Sequence, residues 1–241
     1  MRLLDHARGS QESLRYQAVE RRLPAFLRRH LLHFESSIEE AVAAFARDLP
    51  ENARVLDAGA GEMRHASHFQ GQRYVGVDLA VGDPGWNYRK LDVIADLTAL
   101  PFPSKSFTAI INIVTLEHVR DPLAALKEMR RTLIQHGRAL IIVPHEWEVH
   151  QSPHDYFRYT RHGMQHLLQS AGFTEPSIEP VGGYFRLLAR RLLNGLQFFP
   201  GVLFPIAALF LVPPALLLPL LDSRDRDRNF TLGYICTARA E

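Results

Sequence analysis

The sequence has very little cysteine and lysine, and this limits its chemistry. Cys236 is the only cysteine in 241 residues, which excludes an internal disulfide and a zinc site built from cysteines. The formal net charge of +2 gives no sign of a nucleic-acid-binding surface, so we expect no nucleic-acid partner. The N-terminus lacks the apolar stretch of a signal peptide, which predicts a cytoplasmic location.

The most informative pattern is the run from Val55 to Gly61, VLDAGAG, which predicts a buried strand ending in a glycine turn. A second predicted strand, from Tyr74 to Asp78, also ends in an acid. Glycine has no Cβ, so a ligand can approach the backbone of such a turn closely. An acid at the end of the second strand typically accepts hydrogen bonds from ribose hydroxyls. Met63, Ala66 and Phe69 recur at helical spacing and predict a helix whose N-terminus faces the same ligand.

Charge separates the nucleoside ligands that fit this pattern. A dinucleotide fingerprint carries a third glycine where this chain has Arg64, and its pyrophosphate is anionic. This turn carries Asp57 and Glu62, and carboxylates favour S-adenosylmethionine (SAM), which has an ammonium and a sulfonium group. An NAD-dependent oxidoreductase is therefore the disfavoured alternative. A tight turn without a ligand is the other interpretation that the motif allows.

Four segments together resemble the class I SAM-dependent methyltransferases, in particular the methyltransferase type 11 subgroup that includes the ubiquinone and menaquinone C-methyltransferases. The segments that carry the resemblance are Val55 to Gly61, Gly76 to Asp78, Asp96 to Phe102 and Leu116 to His118. The resemblance covers about residues 50 to 175. It implies a Rossmann-like, doubly wound α/β fold with a seven-stranded, mostly parallel sheet and helices on both faces.

The resemblance also implies SAM as the cofactor and a set of residues that bind it. In the family, the acid matching Asp96 meets the adenine amino group and Leu97 lies beside the ring. Where the family often has a further glycine, this chain has Met63. The implied cofactor-binding residues are Asp57, Gly59, Gly61, Asp78, Leu79, Asp96 and Leu97.

Strand and helix patterns alternate along the chain, which predicts parallel β-α units with ligands at the carboxyl ends of the strands. We expect an N-terminal helical segment over 1–50, divided at Pro24, and a methyltransferase domain over 51–241. The other predicted strands span 88–95, 107–114, 139–143, 176–181 and 230–237. Helices are predicted over 122–133 and 160–170, and 135–137 and 82–85 read as turn and loop.

The loop over 145–160 is rich in histidine, acids and aromatic residues, which predicts a loop that covers the substrate. Histidine titrates near neutral pH and suits general-base chemistry. We expect His150 or His154 to act as the base, with Asp155 orienting one of them. His118 follows the fourth strand, which in the family lies near the methionine part of SAM, so it is a further candidate.

Structural roles compete with these assignments. His118 could equally bond to backbone, and Glu117 could bond to a neighbouring amide or a helix end. A metal site made of His150 and His154 with Asp155 or Glu146 is a rival interpretation. No helix fixes the spacing of those residues, so we expect no metal.

Residues 192–221 carry no charge. An uncharged, mostly apolar stretch of this length normally suggests a transmembrane helix. The prolines that interrupt this insertion are at 200, 205, 213, 214 and 219. Because the final strand must rejoin the sheet, both ends lie on one side of a membrane, as in a re-entrant or interfacial hairpin. The flanking arginines agree with a cytoplasmic face; they are Arg186, Arg190, Arg191, Arg224, Arg226 and Arg228.

These observations predict a methyltransferase that acts on a lipid-like or membrane-presented small molecule, peripherally on the inner face of a membrane. One alternative is a SAM-fold docking or partner subunit without catalysis. Another is that the insertion forms a soluble helical lid, hidden in a homodimer or in an acceptor pocket.

Overall fold

The computed structural model describes residues 29–82 and 85–241, and these fold into two compact units. The sheet unit comprises Ser37–Gly82, Trp86–Val181 and Gly233–Glu241. The insertion unit comprises residues 29–36, Gly85 and Gly182–Leu232. The helical region predicted before residue 29 and the centre of the predicted loop at 82–85 lie outside the described residues.

The sheet has seven strands in the order β3-β2-β1-β4-β5-β7-β6. Strands β1 to β5 pair in parallel, whereas β7 runs antiparallel to both of its neighbours. This topology confirms the predicted Rossmann-like, mostly parallel sheet. The strands are β1 (Arg54–Ala58), β2 (Arg73–Asp78), β3 (Val93–Ile94), β4 (Phe107–Ile113), β5 (Leu133–Pro144), β6 (Phe173–Val181) and β7 (Gly233–Ala240).

The central strands are largely buried and mostly apolar, as is typical of parallel strands inside an α/β fold. Leu56 on β1 and Ile110 on β4 are completely buried, as is Ile142 on β5. The α-helices of the described residues are α1 (His33–Arg47), α2 (Pro122–Thr132), α3 (Arg161–Ser170), α4 (Tyr184–Gly195) and α5 (Leu203–Leu217). Helices α2 and α3 begin where the sequence predicted, because Asp121 and Thr160 accept hydrogen bonds from the backbone N–H groups of their first turns.

The prediction of a helix after the glycine turn was wrong. The segment contains only a five-residue 3₁₀ helix, Arg64–His68. Of the three apolar residues that suggested a helix, only Phe69 is buried, so the segment has no continuous apolar face to pack on the sheet. A helix N-terminus is therefore absent from the ligand side of this turn.

Several predicted strand boundaries also differ from the structure. β6 begins at Phe173 instead of 176, and β7 spans Gly233–Ala240 instead of 230–237. β3 has only two residues. The Asp92 carboxylate accepts the hydrogen bond of the Gly76 N–H at 2.8 Å, so a side chain takes the place of backbone pairing with β2 just before β3 begins. β5 begins directly after α2, since Leu133 pairs with Phe107. The turn predicted at 135–137 is instead a register shift within the strand, where His136 adopts a φ of 61°.

The insertion leaves and rejoins the sheet at neighbouring positions. Val181, the last residue of β6, is the register partner of Gly233, the first residue of β7. Gly233 also pairs with Pro144, the last residue of β5. Residues 182–232 are therefore connected at both ends to the edge of the sheet where the parallel strands finish. The final strand joins the same sheet as β6, as the sequence predicted, and pairs with it directly.

Within the insertion unit, the short 3₁₀ segment Leu196–Phe198 lies between α4 and α5, and a second one, Leu218–Arg224, follows α5. We call residues 196–221 the apolar hairpin. α5 contains Pro213 and Pro214 in its interior. By length and composition, the stretch Leu203–Arg224 is long and apolar enough to cross a membrane; an 18-residue window within it has a mean hydropathy of 2.2 and is only 17% buried.

Two aspartates after the apolar hairpin cap the start of α4. Asp222 Oδ1 accepts hydrogen bonds from the backbone N–H groups of Gly183 and Arg186, at 3.2 and 3.1 Å. Asp222 Oδ2 lies 3.3 Å from Arg186 Nε, and Asp225 Oδ2 accepts from the Tyr184 N–H at 2.8 Å. Carboxylates at a helix N-terminus satisfy free N–H groups and the helix dipole. This Asp222 clamp holds the chain that follows the apolar hairpin against the start of α4.

The clamp also changes how the flanking arginines are interpreted. Arg186 pairs with Asp222, and Arg190 forms a two-pronged ion pair with Glu35 at 2.8 and 3.2 Å. Both arginines are therefore neutralised by carboxylates of the insertion unit itself. Arg224 and Arg226, on the other flank, are exposed.

Replacing the clamp carboxylate is expected to destabilise the insertion unit. Asp222→Ala leaves two backbone N–H groups and the Arg186 side chain without their acceptor, which should lower the free energy of unfolding by about 2 kcal/mol. Asp222→Asn keeps one acceptor oxygen and should lose less. Urea unfolding followed by far-UV circular dichroism measures the effect. Asp227→Ala, at an exposed position, is the control, and equal unfolding midpoints for both alanine variants would contradict the clamp.

Candidate active site at the carboxyl edge of the sheet

The glycine turn and the acid of β2 meet at the end of the first two strands. Gly59 and Gly61 have φ values of +95° and +50°, which favour glycine. A side chain at Gly59 would also collide with Thr115. Asp78 Oδ2 accepts a hydrogen bond from the Gly61 N–H at 3.0 Å, so the two parts of the predicted cofactor site are brought together.

Met63 stands where the family often has a glycine, and its side chain packs onto β2. A Cβ at Gly76 would overlap the Met63 sulfur, so Gly76 provides the space for this side chain. Met63 itself has a φ of 61°, which is costly for a residue with a side chain. Met63 thus adopts a left-handed backbone conformation that favours glycine.

Asp57 is a buried carboxyl group with one unsatisfied oxygen. The Tyr74 hydroxyl donates a hydrogen bond to Asp57 Oδ2, while Oδ1 has no hydrogen-bond partner among the described residues. Burial raises the pKa of Asp57 to about 7; the Tyr74 hydrogen bond opposes this shift and the charge of Asp78 adds to it. A cationic group such as an ammonium or a sulfonium would satisfy the free oxygen, so the site fits the charge of SAM.

The residues predicted to contact adenine differ in their exposure. Leu79 is 46% exposed and available to a ligand, whereas Leu97 is 5% exposed and packs in the core. Asp96 Oδ1 accepts hydrogen bonds from the backbone N–H and hydroxyl of Thr98, both at 2.8 Å. Asp96 therefore caps a turn through Thr98.

Trp86 is a site residue that the sequence analysis missed. Its ring lies beside the glycine turn, 3.3 Å from the position that a Gly61 Cβ would occupy. The neighbouring Asn87 N–H donates to Glu62 Oε1 at 3.0 Å, which ties this loop to the same turn. A single aromatic residue in a loop has no periodic pattern, and only the fold brings it to the site.

The loop over 145–160 is fixed to the short turn that follows β4. The backbone N–H groups of Tyr156 and Phe157 donate to the Glu117 carbonyl oxygen at 2.9 and 3.2 Å. The Tyr159 hydroxyl donates to the Leu116 carbonyl oxygen at 2.8 Å. These main-chain acceptors hold the predicted substrate-covering loop over the end of β4.

Arg158 organises the interior of this loop. Its guanidinium donates to the carbonyl oxygens of Trp147 and Glu148, at 3.1 and 2.7 Å, and to both oxygens of Asp155, at 2.6 and 2.8 Å. Burial alone would raise the pKa of Asp155, but Arg158 and the His150 N–H hold it at about 2. Asp155 is thus charged at neutral pH and stabilises the loop through its ion pair with Arg158.

The histidines predicted to be catalytic separate into a pair and an outlier. The rings of His118 and His150 meet edge to face with centroids 4.7 Å apart, and Asp155 Oδ2 lies 3.5 Å from His150 Nδ1. His118 Nδ1 donates to the carbonyl oxygen of His154. The His154 ring instead contacts Tyr156, whose hydroxyl is 3.1 Å from His154 Nδ1. His154 therefore contributes its backbone to this group.

The alternative considered for Glu117, a bond to a neighbouring amide or a helix end, is not found among the described residues. Its side chain is completely buried, and its two oxygens lack hydrogen-bond partners in the described part of the chain. His118 Nε2 lies 3.7 Å from Glu117 Oε1. Burial raises the pKa of Glu117 to about 8 and lowers that of His118, so both groups favour their neutral forms.

The fold and the acid-lined glycine turn define a nucleoside-binding α/β enzyme of the Rossmann-like class. The sequence matches the family described as "Methyltransferase domain" over residues 28–175, which is more than half of the chain. The chain belongs to this family. Membership confirms the predicted enzyme, a SAM-dependent methyltransferase, while the ubiquinone and menaquinone subgroup stays a prediction. None of the curated proteins matches the chain significantly.

Solved structures share the fold at low sequence identity. Phosphoethanolamine N-methyltransferase 2 from Haemonchus contortus, in complex with SAM, is 18% identical with a TM-score of 0.54; 85% of this chain covers 52% of that enzyme, about half of its length. A SAM-dependent methyltransferase from Thermotoga maritima is 17% identical (TM-score 0.52), with 94% and 100% of the two chains covered. The [4+2]-cyclase SpnF is 20% identical (TM-score 0.53), with 84% and 79% covered.

Titration of Asp57 is expected to make stability depend on pH. Its pKa rises from an ordinary 3.8 to about 7 on folding, so between these values only the folded state keeps the proton. The stabilisation is present below pH 4 and is lost as the pH rises through 7, with a slope of up to about 1.4 kcal/mol per pH unit. Asp57→Asn removes this titration.

The measurement is the difference in unfolding free energy between wild type and Asp57→Asn, across this pH range and without cofactor. Burial lowers the pKa of His33 to about 4, which produces the opposite slope, but this contribution is common to both proteins and cancels. Asp48→Asn, at a side chain 68% exposed, is the control. A difference that does not change with pH would show that Asp57 does not titrate in this range.

Proposed function

We propose that this protein transfers a methyl group from SAM to a lipid-like or membrane-presented small molecule. The observation that carries the proposal is the apolar hairpin: a methyltransferase sheet is joined, at its ligand-binding edge, to a largely exposed apolar segment. Soluble monomers rarely expose a large apolar surface unless it binds a partner or a membrane.

The residues that would hold SAM come from the first half of the sheet. Asp57 offers a free buried oxygen to a cationic group, and Asp78 is positioned at the turn to accept hydrogen bonds from ribose hydroxyls. The exposed Leu79 side chain is suited to pack against adenine. SAM supplies an activated methyl group, so the protein's own task is to align the acceptor and accept its proton where one is lost.

The acceptor side is built from the turn after β4 and the loop over 145–160. His118 and His150 lie together there, and His150 is the more accessible, with 26% of its side chain exposed against 12% for His118. A partly exposed imidazole is suited to take a proton from the acceptor. His150 is therefore our assignment for the base, supported by Asp155 beneath it.

A lipid bilayer is the occupant that best fits the apolar hairpin. Its exposed large apolar side chains include Phe198, Val202, Leu203, Phe204, Ile206, Leu209, Phe210, Leu217 and Leu220. Both ends of the insertion join the same edge of the sheet, so a single crossing of the bilayer does not fit and an interfacial or re-entrant hairpin does. The exposed Arg224 and Arg226 would favour an anionic, cytoplasmic-facing surface.

Calorimetric titration tests the cofactor assignment. Wild-type protein should bind S-adenosylhomocysteine at micromolar concentrations, and Asp78→Asn should weaken binding at least about tenfold, because it loses charge-assisted hydrogen bonds to the ribose. Asn keeps an acceptor for the Gly61 N–H, so the turn should survive. Asp121→Asn, at the exposed cap of α2, should bind like wild type.

The result also separates catalysis from docking. Binding accompanied by methyl transfer into a membrane extract supports the proposed function. Binding without transfer to any component of that extract favours the non-catalytic docking subunit. Absence of binding by folded wild-type protein would contradict both.

Sedimentation with vesicles tests the membrane assignment. Vesicles of mixed phosphatidylcholine and phosphatidylglycerol should carry down the wild-type protein, and the double change Leu209→Glu and Phe210→Glu should leave it in solution. These side chains are 69% and 70% exposed, and charge on them opposes burial in lipid. Ile94→Glu, at a side chain 67% exposed in the sheet unit, is the matched control and should sediment like wild type.

Sedimentation velocity without lipid identifies the alternative occupant. If the hairpin covers a second copy of the chain, wild type will be a dimer, the double variant will be a monomer, and neither will bind vesicles. That outcome would overturn the membrane assignment in favour of a homodimer.

A further inference from the structure

Glu117, His118 and His150 bring metal-ligand atoms together at the carboxyl edge of the sheet. One carboxylate oxygen and one nitrogen from each ring all lie within 4.8 Å of one another. The set differs from the His150 and His154 pair considered on the sequence, since the His154 ring contacts Tyr156. The Glu117 side chain is completely buried in this cluster.

The tautomer of His118 is fixed by its backbone contact. His118 Nδ1 faces the carbonyl oxygen of His154, and a carbonyl only accepts hydrogen bonds, so Nδ1 carries the proton. Nε2 of the neutral ring then carries a lone pair and no proton. This nitrogen is buried and has no hydrogen-bond partner among the described residues. A backbone carbonyl behind one ring nitrogen is the usual arrangement for a metal-binding histidine.

Glu117 completes a pair of facing acceptors. Its Oε1 lies 3.7 Å from His118 Nε2, and both of its oxygens lack hydrogen-bond partners within the described ranges. Two buried acceptors that face each other need a proton or a cation between them. Ligands about 2.1 Å from a tetrahedral metal ion are about 3.4 Å apart, which is close to the observed separation.

His150 has the support expected of a third ligand. Its Nδ1 lies 3.1 Å from the Glu148 carbonyl oxygen and 3.5 Å from Asp155 Oδ2, both acceptors, so Nδ1 carries the proton and Nε2 has a free lone pair. Asp155 is in turn held by Arg158 through two hydrogen bonds. A carboxylate behind a histidine orients the ring and increases its basicity toward a metal.

We propose that Glu117, His118 and His150 bind a divalent transition-metal ion, with Zn²⁺ the first candidate. Two imidazoles and one carboxylate are a donor set that zinc accepts while it keeps a coordination position open. The open position would receive an oxygen of the acceptor or a water molecule. Only this role for the ion rests on the proposed function; the site itself does not. With the ion bound, the free lone pair of His150 is on the metal, so His150 acts as the base only in the metal-free protein.

Two other histidine groups could bind the same ions and are the controls. Glu39, His65 and His68 also place ligand atoms within 4.8 Å, but the Glu39 side chain is 57% exposed. His162 and His166 are exposed and four residues apart on α3, a spacing that binds added metal adventitiously. Neither group combines a buried carboxylate with free oxygens and an oriented ring.

The test is metal titration of the full chain after chelator treatment. Zn²⁺ is followed by calorimetry, and Co²⁺ by the visible absorption of four- or five-coordinate cobalt. Wild type should bind one equivalent, and both Glu117→Gln and His150→Asn should weaken binding at least about tenfold. His68→Gln and His166→Gln should bind like wild type. His150 is partly exposed, so its variant is expected to fold even if Glu117→Gln does not.

Unchanged affinity in His150→Asn and Glu117→Gln, with loss in His68→Gln or His166→Gln, would overturn the proposal, as would absence of binding by wild type. Titrating the chelated protein with S-adenosylhomocysteine distinguishes the two claims. Cofactor binding without metal binding rejects the metal site and leaves the proposed function standing. Metal binding without cofactor binding supports the site and contradicts the proposed function.

Discussion

The antiparallel pairing of β7 between β5 and β6 is the constraint on which the second half of the molecule depends. Gly233 pairs with Pro144 on one side and with Val181 on the other, so whatever is inserted after β6 must return to its starting point. An apolar segment inserted there is obliged to turn back. The prolines within α5 and the Asp222 clamp at the ends are consistent with this requirement. The topology of the sheet thus decides how an apolar segment of membrane-spanning length can be used.

The second general feature is the concentration of acids where the parallel strands end. Asp57 and Glu117 are both fully buried, and burial raises the pKa of each toward or above neutrality. Buried carboxyl groups without partners are costly unless a proton or a cation satisfies them. We interpret both as places where a ligand completes the structure: a cationic group at Asp57, and a metal ion at Glu117. Asp155 shows the contrast, because Arg158 already supplies its counter-charge.

The sequence predicted the strands, the sheet and the turn that carries Asp57, because these depend on apolar runs and on glycine. It failed where tertiary contacts replace periodic ones. The Asp92 side chain occupies the Gly76 N–H and shortens β3, and the residues after Gly61 lack the apolar face of a helix. Glu117 was misjudged because no pattern reveals that the side chain of a short turn faces inward. Residue spacing suggested one histidine cluster, whereas the fold separates the His154 ring from those of His118 and His150.

Main-chain atoms carry much of the positioning in the region that we propose as the acceptor side, and this leaves the side chains free for chemistry. The carbonyl oxygens of Leu116 and Glu117 hold the loop over 145–160. The His154 carbonyl orients His118, and the Glu148 carbonyl faces His150. A side chain whose position is fixed by backbone contacts can exchange protons or ligands without loosening the fold. Backbone carbonyl oxygens accept hydrogen bonds whatever the residue type. The preference for a methyl acceptor in such a site can therefore change through residues 117, 118 and 150 while the loop keeps its place.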